Sequence, residues 1–546
     1  MRHRAQNSSA VFVKKSLQEM PITINELREH MENIPHSHLA DRLMRFGTTL
    51  RGTRSYWAKC RAELFDLLHQ IGTPTIFFTL SAADMYWPDL HALMPGTQPT
   101  NPQEAQKWRR QNIIDYPHIV AYYMHLRYTM FRKEILQKGM KAKDYWSRYE
   151  WQHRGSPHVH GFIWLEEAPN IDNLDWKNHD EVKHAKKYFD SIIHAWNPRG
   201  DPHQRNIQVL QNFTQHPCLR NTQQLNQIDL ARDYEELLNC VERHTMYNAP
   251  WPLHLDGSKL FEDPATGDKV YEPARNDDRV NTHNRNILQL WRANVDWQPV
   301  LSRHAVMNYI AKYAAKAEKS SESYHQMLMR LANIENPDEA ASRAYRRLLT
   351  ETLIERDIGA QETCHMLLEL PLVESSRVFV TLNVSREVFK PVITNEENDD
   401  ECHLKHFIEG YMDRPYAMES VTLIDAARSW TYNSKRKRDN KWEARTIAAI
   451  VRVFPRFTTV PTRQSEKWVD FCWSELLLYK PFQIDMLGRR DIDKQNPWSA
   501  EYQGDDYTNI AINFINTMKE NGLLIPDDMM SSISYGTLGA KQKKST

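Results

Sequence analysis

DYWSRYEWQHRGSPHVHGFIWLEE, residues Asp144 to Glu167, decides how this chain is read. Arg154-Gly155-Ser156-Pro157 has the composition of a tight turn. On either side lie runs rich in aromatic and β-branched residues. The stretch is therefore expected as a β-hairpin, Trp146–Gln152 against His158–Leu165. Strand alternation places His158 and His160 on one face and Val159 on the other. Two adjacent imidazoles suit a dry core poorly, because each ring nitrogen needs a partner. They suit a divalent metal well. Glu150 and Gln152, also two apart, can face them across the hairpin. One oxygen donor and two imidazoles would leave coordination positions open for water and substrate. His-x-His is a weak signal on its own. No HExxH occurs, which disfavours a zincin protease.

Working outward, YWAKCRAELFDLLHQIG (Tyr56 to Gly72) spaces its apolar residues as a helix does and stops at glycine. TPTIFFTLS (Thr73 to Ser81) reads as a buried strand, and His118 to Gly139 as a long helix. RVFVTLNV (Arg377 to Val384) reads as a further short strand. Helices and strands together give an α+β class. The expected organisation is a helical region over 1–70 and a core over 71–320 with a polar insertion near 200–285. A helical extension with a short strand (321–390), a charged linker (391–440) and a C-terminal accessory region (441–546) follow. At 546 residues, several structural units are expected.

Lys+Arg and Asp+Glu both number 70, so any basic surface must be local. The six cysteines are far apart, which excludes a secreted disulfide scaffold and a CxxC knuckle. No run approaches the ~20 apolar residues of a membrane span. The expectation is a soluble intracellular protein with no membrane partner, nuclear if eukaryotic. Lys435 to Arg438, KRKR, could serve import, although a solvated loop is the simpler reading.

A second constellation gives the histidines a reaction. In Arg303 to Ser320, Tyr309, Lys312, Tyr313 and Lys316 form YxxKYxxK. Helical spacing puts the two tyrosines one turn apart, with the lysines similarly matched. A phenol ionises near pH ~10 and attacks a phosphodiester only with help. A metal can polarise the phosphate, and a lysine can favour the phenolate. The alternative is an amphipathic helix with its hydroxyls at the surface.

Together these stretches resemble the replication-initiator (HUH nuclease) portion of Helitron rolling-circle transposases, in which U is a hydrophobic residue. The resemblance runs from about Tyr56 to about Phe482. It is carried by Gly72 to Leu90, Tyr149 to Leu165, Tyr271 to Val300, Ala305 to Glu318 and Arg356 to Leu372. It implies a small antiparallel sheet flanked by helices. It also implies single-stranded DNA as partner, with nicking and strand transfer through a 5′-phosphotyrosine. His158 and His160 carry over as metal ligands, with Gln152 as the third and Glu150 as its alternate. Tyr309 and Tyr313 carry over as nucleophiles. Mg²⁺ or Mn²⁺ is the implied ion. The competing reading is an inactive DNA-binding remnant of a decayed Helitron element.

Two departures shape the expectation. Relatives often carry a cysteine-rich patch after RHT. Here Cys240 to Gly257 offers only Cys240 and His244, so no structural zinc is expected. Full-length relatives continue into a helicase, which needs GxxxxGK[ST]. No Gly-Lys pair occurs here, so no ATP use is expected and a separately encoded helicase becomes a candidate partner. Arg109, Arg110, Lys141, Lys143 and the basic run Lys312–Lys319 are candidate phosphate contacts. Trp87, Trp151 and Trp291 are candidate base-stacking groups. Each has a simpler reading as surface charge or core. Asp84 and Asp89 are read as orienting the site or capping a helix.

Overall fold

The computed structural model describes residues 51–151, 155–200, 216–220, 226–243, 251–303, 306, 359–384, 392–393, 402–403, 407–412, 414–433, 441–457, 461, 467–479 and 481. The chain is α+β and divides into two compact units, Met1–Ser376 and Arg377–Thr546.

The first unit is built on the expected hairpin. Helix α1 (Arg54–Ile71) is capped by the Thr53 hydroxyl, which accepts from Tyr56 N, and ends at Gly72 with φ 88°. Strand β1 (Ile76–Ser81) follows. Helices α2 (Pro88–Ala92), α3 (Pro102–Asp115) and α4 (Pro117–Phe131) all start with proline in the first turn. The helix read through to Gly139 changes character at Arg132, continuing as a π-helix over Arg132–Gly139. Arg132 there bonds Glu374 at 3.0 Å and lies 4.3 Å over the Tyr145 ring. Strands β2 (Ala142–Trp151) and β3 (Pro157–Leu165) form the hairpin. Next come α5 (His179–Ile192), α6 (Gln227–Leu237), a small hairpin of β4 (Lys259–Glu262) and β5 (Lys269–Glu272), α7 (Arg285–Trp291), β6 (Val295–Pro299), α8 (Ala360–Leu367) and β7 (Val373–Ser375).

Five strands make one antiparallel sheet in the order β6-β1-β3-β2-β7. Alternation divides its side chains cleanly. Phe78, Leu80, Tyr149, Val159, Ile163, Val295 and Trp297 share one face, and all are buried. Val120, Met124 and Tyr128 of α4 and Leu288 and Trp291 of α7 belong to the same core. Tyr128 meets Tyr149 edge-on at 5.8 Å. The helices thus cover one side of the sheet and leave the histidine side to separate contacts.

The stretch 200–285 reads as polar, yet part of it is interior. Asn197 donates to Asn239 at 2.8 Å and to Asp277 at 2.9 Å, and Arg243 reaches Asp277 at 3.2 Å. All four are buried. Their polarity hides them from a hydrophobic periodicity, while their mutual bonds make burial tolerable.

In the second unit, Phe379–Asn383 pairs in parallel with Ile450–Phe454. The strand that joins the large sheet is instead Val373–Ser375, just ahead of the stretch read as a strand. Within 391–440, expected as a linker, helices Phe407–Met412 and Leu423–Ser429 bury Ile408, Tyr411, Leu423 and Ala426. No helix among the described residues is long and apolar enough to cross a membrane. The KRKR stretch lies outside the described residues.

Candidate metal centre

Register assembles the site. His158 of β3 stands opposite Glu150 of β2 and Ser81 of β1. His160 stands opposite Arg148 and Thr79, and Thr79 opposite Asp296 of β6. These residues occupy the face away from the helical core. The His158 and His160 rings are nearly parallel, with centroids 6.4 Å apart and 13° between planes. Phe77 lies parallel to His160 at 6.4 Å on the other side.

His160 is held from both edges. Its Nε2 lies 3.1 Å from Glu150 Oε2, and its Nδ1 lies 2.9 Å from Thr79 Oγ1. Glu150 Oε2 is shut off from solvent, with His160 Nε2 against it. Burial would raise the Glu150 carboxyl. The His160 contact, with Arg148 and His158 behind it, outweighs burial and holds it at about 2. Burial, reinforced by the neighbouring His160 ring, pushes His158 down to about 4. At neutral pH the pocket therefore holds an ionised carboxylate and a neutral His158, protonation states suited to binding a divalent cation.

The fit to a metal is partial but specific. Two donors about 2.1 Å from an octahedral ion and cis to one another stand about 3 Å apart, the spacing of Glu150 Oε2 and His160 Nε2. Among the described residues, no three His, Cys, Asp or Glu side chains gather as a metal site. Gln152 lies outside the described residues, as do Tyr309, Lys312, Tyr313 and Lys316. Of the expected ligands, the structure brings Glu150 and His160 into contact and sets His158 beside them.

Three neighbours were missed in the sequence. Thr79 lies in a strand read only as buried. Arg148 reaches within 3.9 Å of Glu150 and lies 4.5 Å over the Trp57 ring of α1. Asp296, from VDWQP, is pushed up to about 6 by burial, against the pull of its Gln298 bond and of His160. Strand alternation hinted at Thr79 and Arg148. Nothing local joined Asp296 to the hairpin, because that neighbourhood forms only when β6 pairs with β1.

Several candidate DNA contacts prove structural. Trp87 and Trp291 are core residues, packed edge-on to each other at 5.5 Å, with indole nitrogens donating to Arg292 O and Ser81 O. They cannot stack bases. Arg109 is buried, whereas Arg110 and Lys143 are exposed, and Lys141 is paired with Glu167. Trp151 is half-buried against His365. Asp84 accepts from Ser156 in the hairpin turn at 2.9 Å, and Asp89 sits in the first turn of α2.

Family comparison adds one finding. Residues 1–163 match the Helitron helicase-like domain at the N-terminus. The match takes in β1, β2 and most of β3, including both histidines, and supports a Helitron-related, transposon-associated chain. It stops well before the two tyrosines. A search of curated proteins finds no match.

Proposed function

We propose that this chain nicks single-stranded DNA in a metal-dependent reaction and transfers the cut strand through a 5′-phosphotyrosine, as in rolling-circle transposition. The observation that carries the reading is the Glu150–His160 contact beside a neutral His158 on the histidine-bearing face of an antiparallel sheet. Glu150 and His160 would hold Mg²⁺ or Mn²⁺, with His158 and Gln152 as further donors. When bound, the ion would polarise the scissile phosphate. Tyr309 or Tyr313 would attack phosphorus, forming a phosphotyrosine and releasing a 3′ hydroxyl. Lys312 and Lys316 would favour the phenolate. A separately encoded helicase would supply unwinding.

The test is a covalent adduct. Labelled single-stranded oligonucleotides of varied sequence, incubated with the protein and Mn²⁺, should yield a protein–DNA species on a denaturing gel. It should vanish in the Tyr309→Phe/Tyr313→Phe double variant and in His158→Ala. An adduct that survives His158→Ala removes the metal site from the reaction. No adduct with any sequence favours a DNA-binding role without catalysis.

A further inference from the structure

Thr79 is half-buried in the middle of β1, on the histidine side of the sheet. Its hydroxyl lies 2.9 Å from His160 Nδ1. The opposite edge of that ring, Nε2, faces Glu150 Oε2 at 3.1 Å. An imidazole can offer a lone pair to a cation at Nε2 only when any proton it carries is on Nδ1, and that proton then needs an acceptor. A threonine hydroxyl is an acceptor, and the register leaves this one beside Nδ1. The neighbouring row has no equivalent bond to His158: Ser81, its cross-strand partner, donates instead to Asn294 at 3.3 Å.

We propose that Thr79 is the positioning residue of the metal centre: when the ion is bound, its hydroxyl accepts a hydrogen bond from Nδ1–H of His160 and so leaves the Nε2 lone pair for the ion, beside Glu150. This rests on the metal reading of His160. Thr79 touches neither the ion nor the DNA. It acts on tautomer and ring orientation, as partners behind metal-bound histidines do.

Mn²⁺ binding to the full chain, followed by electron paramagnetic resonance, tests the role without an activity assay. Thr79→Val keeps the branched shape that suits a strand and removes the acceptor. It should weaken Mn²⁺ affinity about tenfold or more, and Thr79→Ser should restore most of the loss. In the metal-free protein, the His160 Nδ1 ¹⁵N resonance should move in Thr79→Val and return in Thr79→Ser. Thr79→Val affinity within twofold of the parent, or an unmoved Nδ1 resonance, overturns the role of Thr79 alone. Absence of Mn²⁺ binding by the parent chain overturns the metal reading and this role with it, whatever the variants do.

Discussion

Gly161 follows His160 without a side chain because Phe78 occupies the space one would need. A Cβ there would come within 2.4 Å of Phe78 Cζ and 2.9 Å of the Trp146 carbonyl oxygen. Phe78 is fully buried, so its ring has nowhere to retreat. Gly161→Ala should cost about 1–3 kcal/mol, the range for overpacking a filled core. A denaturant titration reads this directly, and an unchanged midpoint would show that the strands yield more easily than the packing implies. The same variant should weaken the proposed metal centre, since a displaced β3 carries His160 with it. The glycine beside the histidines is thus a packing requirement as well as part of a motif.

At the scale of elements, the site depends on how β6 is held against β1. Glu242, at the end of the π-helical extension of α6, is buried and accepts from Val295 N at 2.6 Å and Asn294 Nδ2 at 3.1 Å. Burial raises its carboxyl well above the usual range. Its two oxygens each answer one of those donors. Glu242→Gln keeps one acceptor and should lose less than Glu242→Ala, which leaves two buried donors unanswered and should cost about 1–3 kcal/mol or more. Equal losses in the two variants, measured by thermal unfolding at pH 7, would show that the side chain does not hold these two donors. Because β6 carries Asp296 into the row of Thr79 and His160, Glu242→Ala should also lower Mn²⁺ affinity.

Across the first unit, burial pushes His91, His216, His283 and His365 down to about 4. His283 shows why: its Nδ1 donates to Asn281 O at 2.9 Å while its Nε2 receives the Tyr234 hydroxyl at 2.8 Å, an arrangement made for a neutral ring. The unfolded chain binds protons on these rings near pH ~6.5, and the folded chain does so only near 4. Their contribution is fully present above about pH 6.5 and is lost as pH falls toward 4. Calorimetry of the metal-free protein between pH 7 and 4.5 should show a steady fall in Tm. A flat profile would mean that these rings charge without unfolding.

The sequence alone determined the hairpin and the shared face of His158 and His160. Those follow from local chemistry: turn residues between two strand-forming runs, and a side-chain period of two. It also marked β1 and α1 to within a few residues, because each has one clear apolar face or run. Tertiary structure alone decided that the third row partner is Thr79, that Asp296 joins from more than a hundred residues away, and that Trp87 and Trp291 lie in the core. It also turned part of a polar stretch into a buried network around Asn197 and Asp277. The physical reason is common to all of these. Pairing between distant strands and the mutual satisfaction of buried polar groups leave no periodicity in the segments that supply them, so they exist only once the chain has closed on itself.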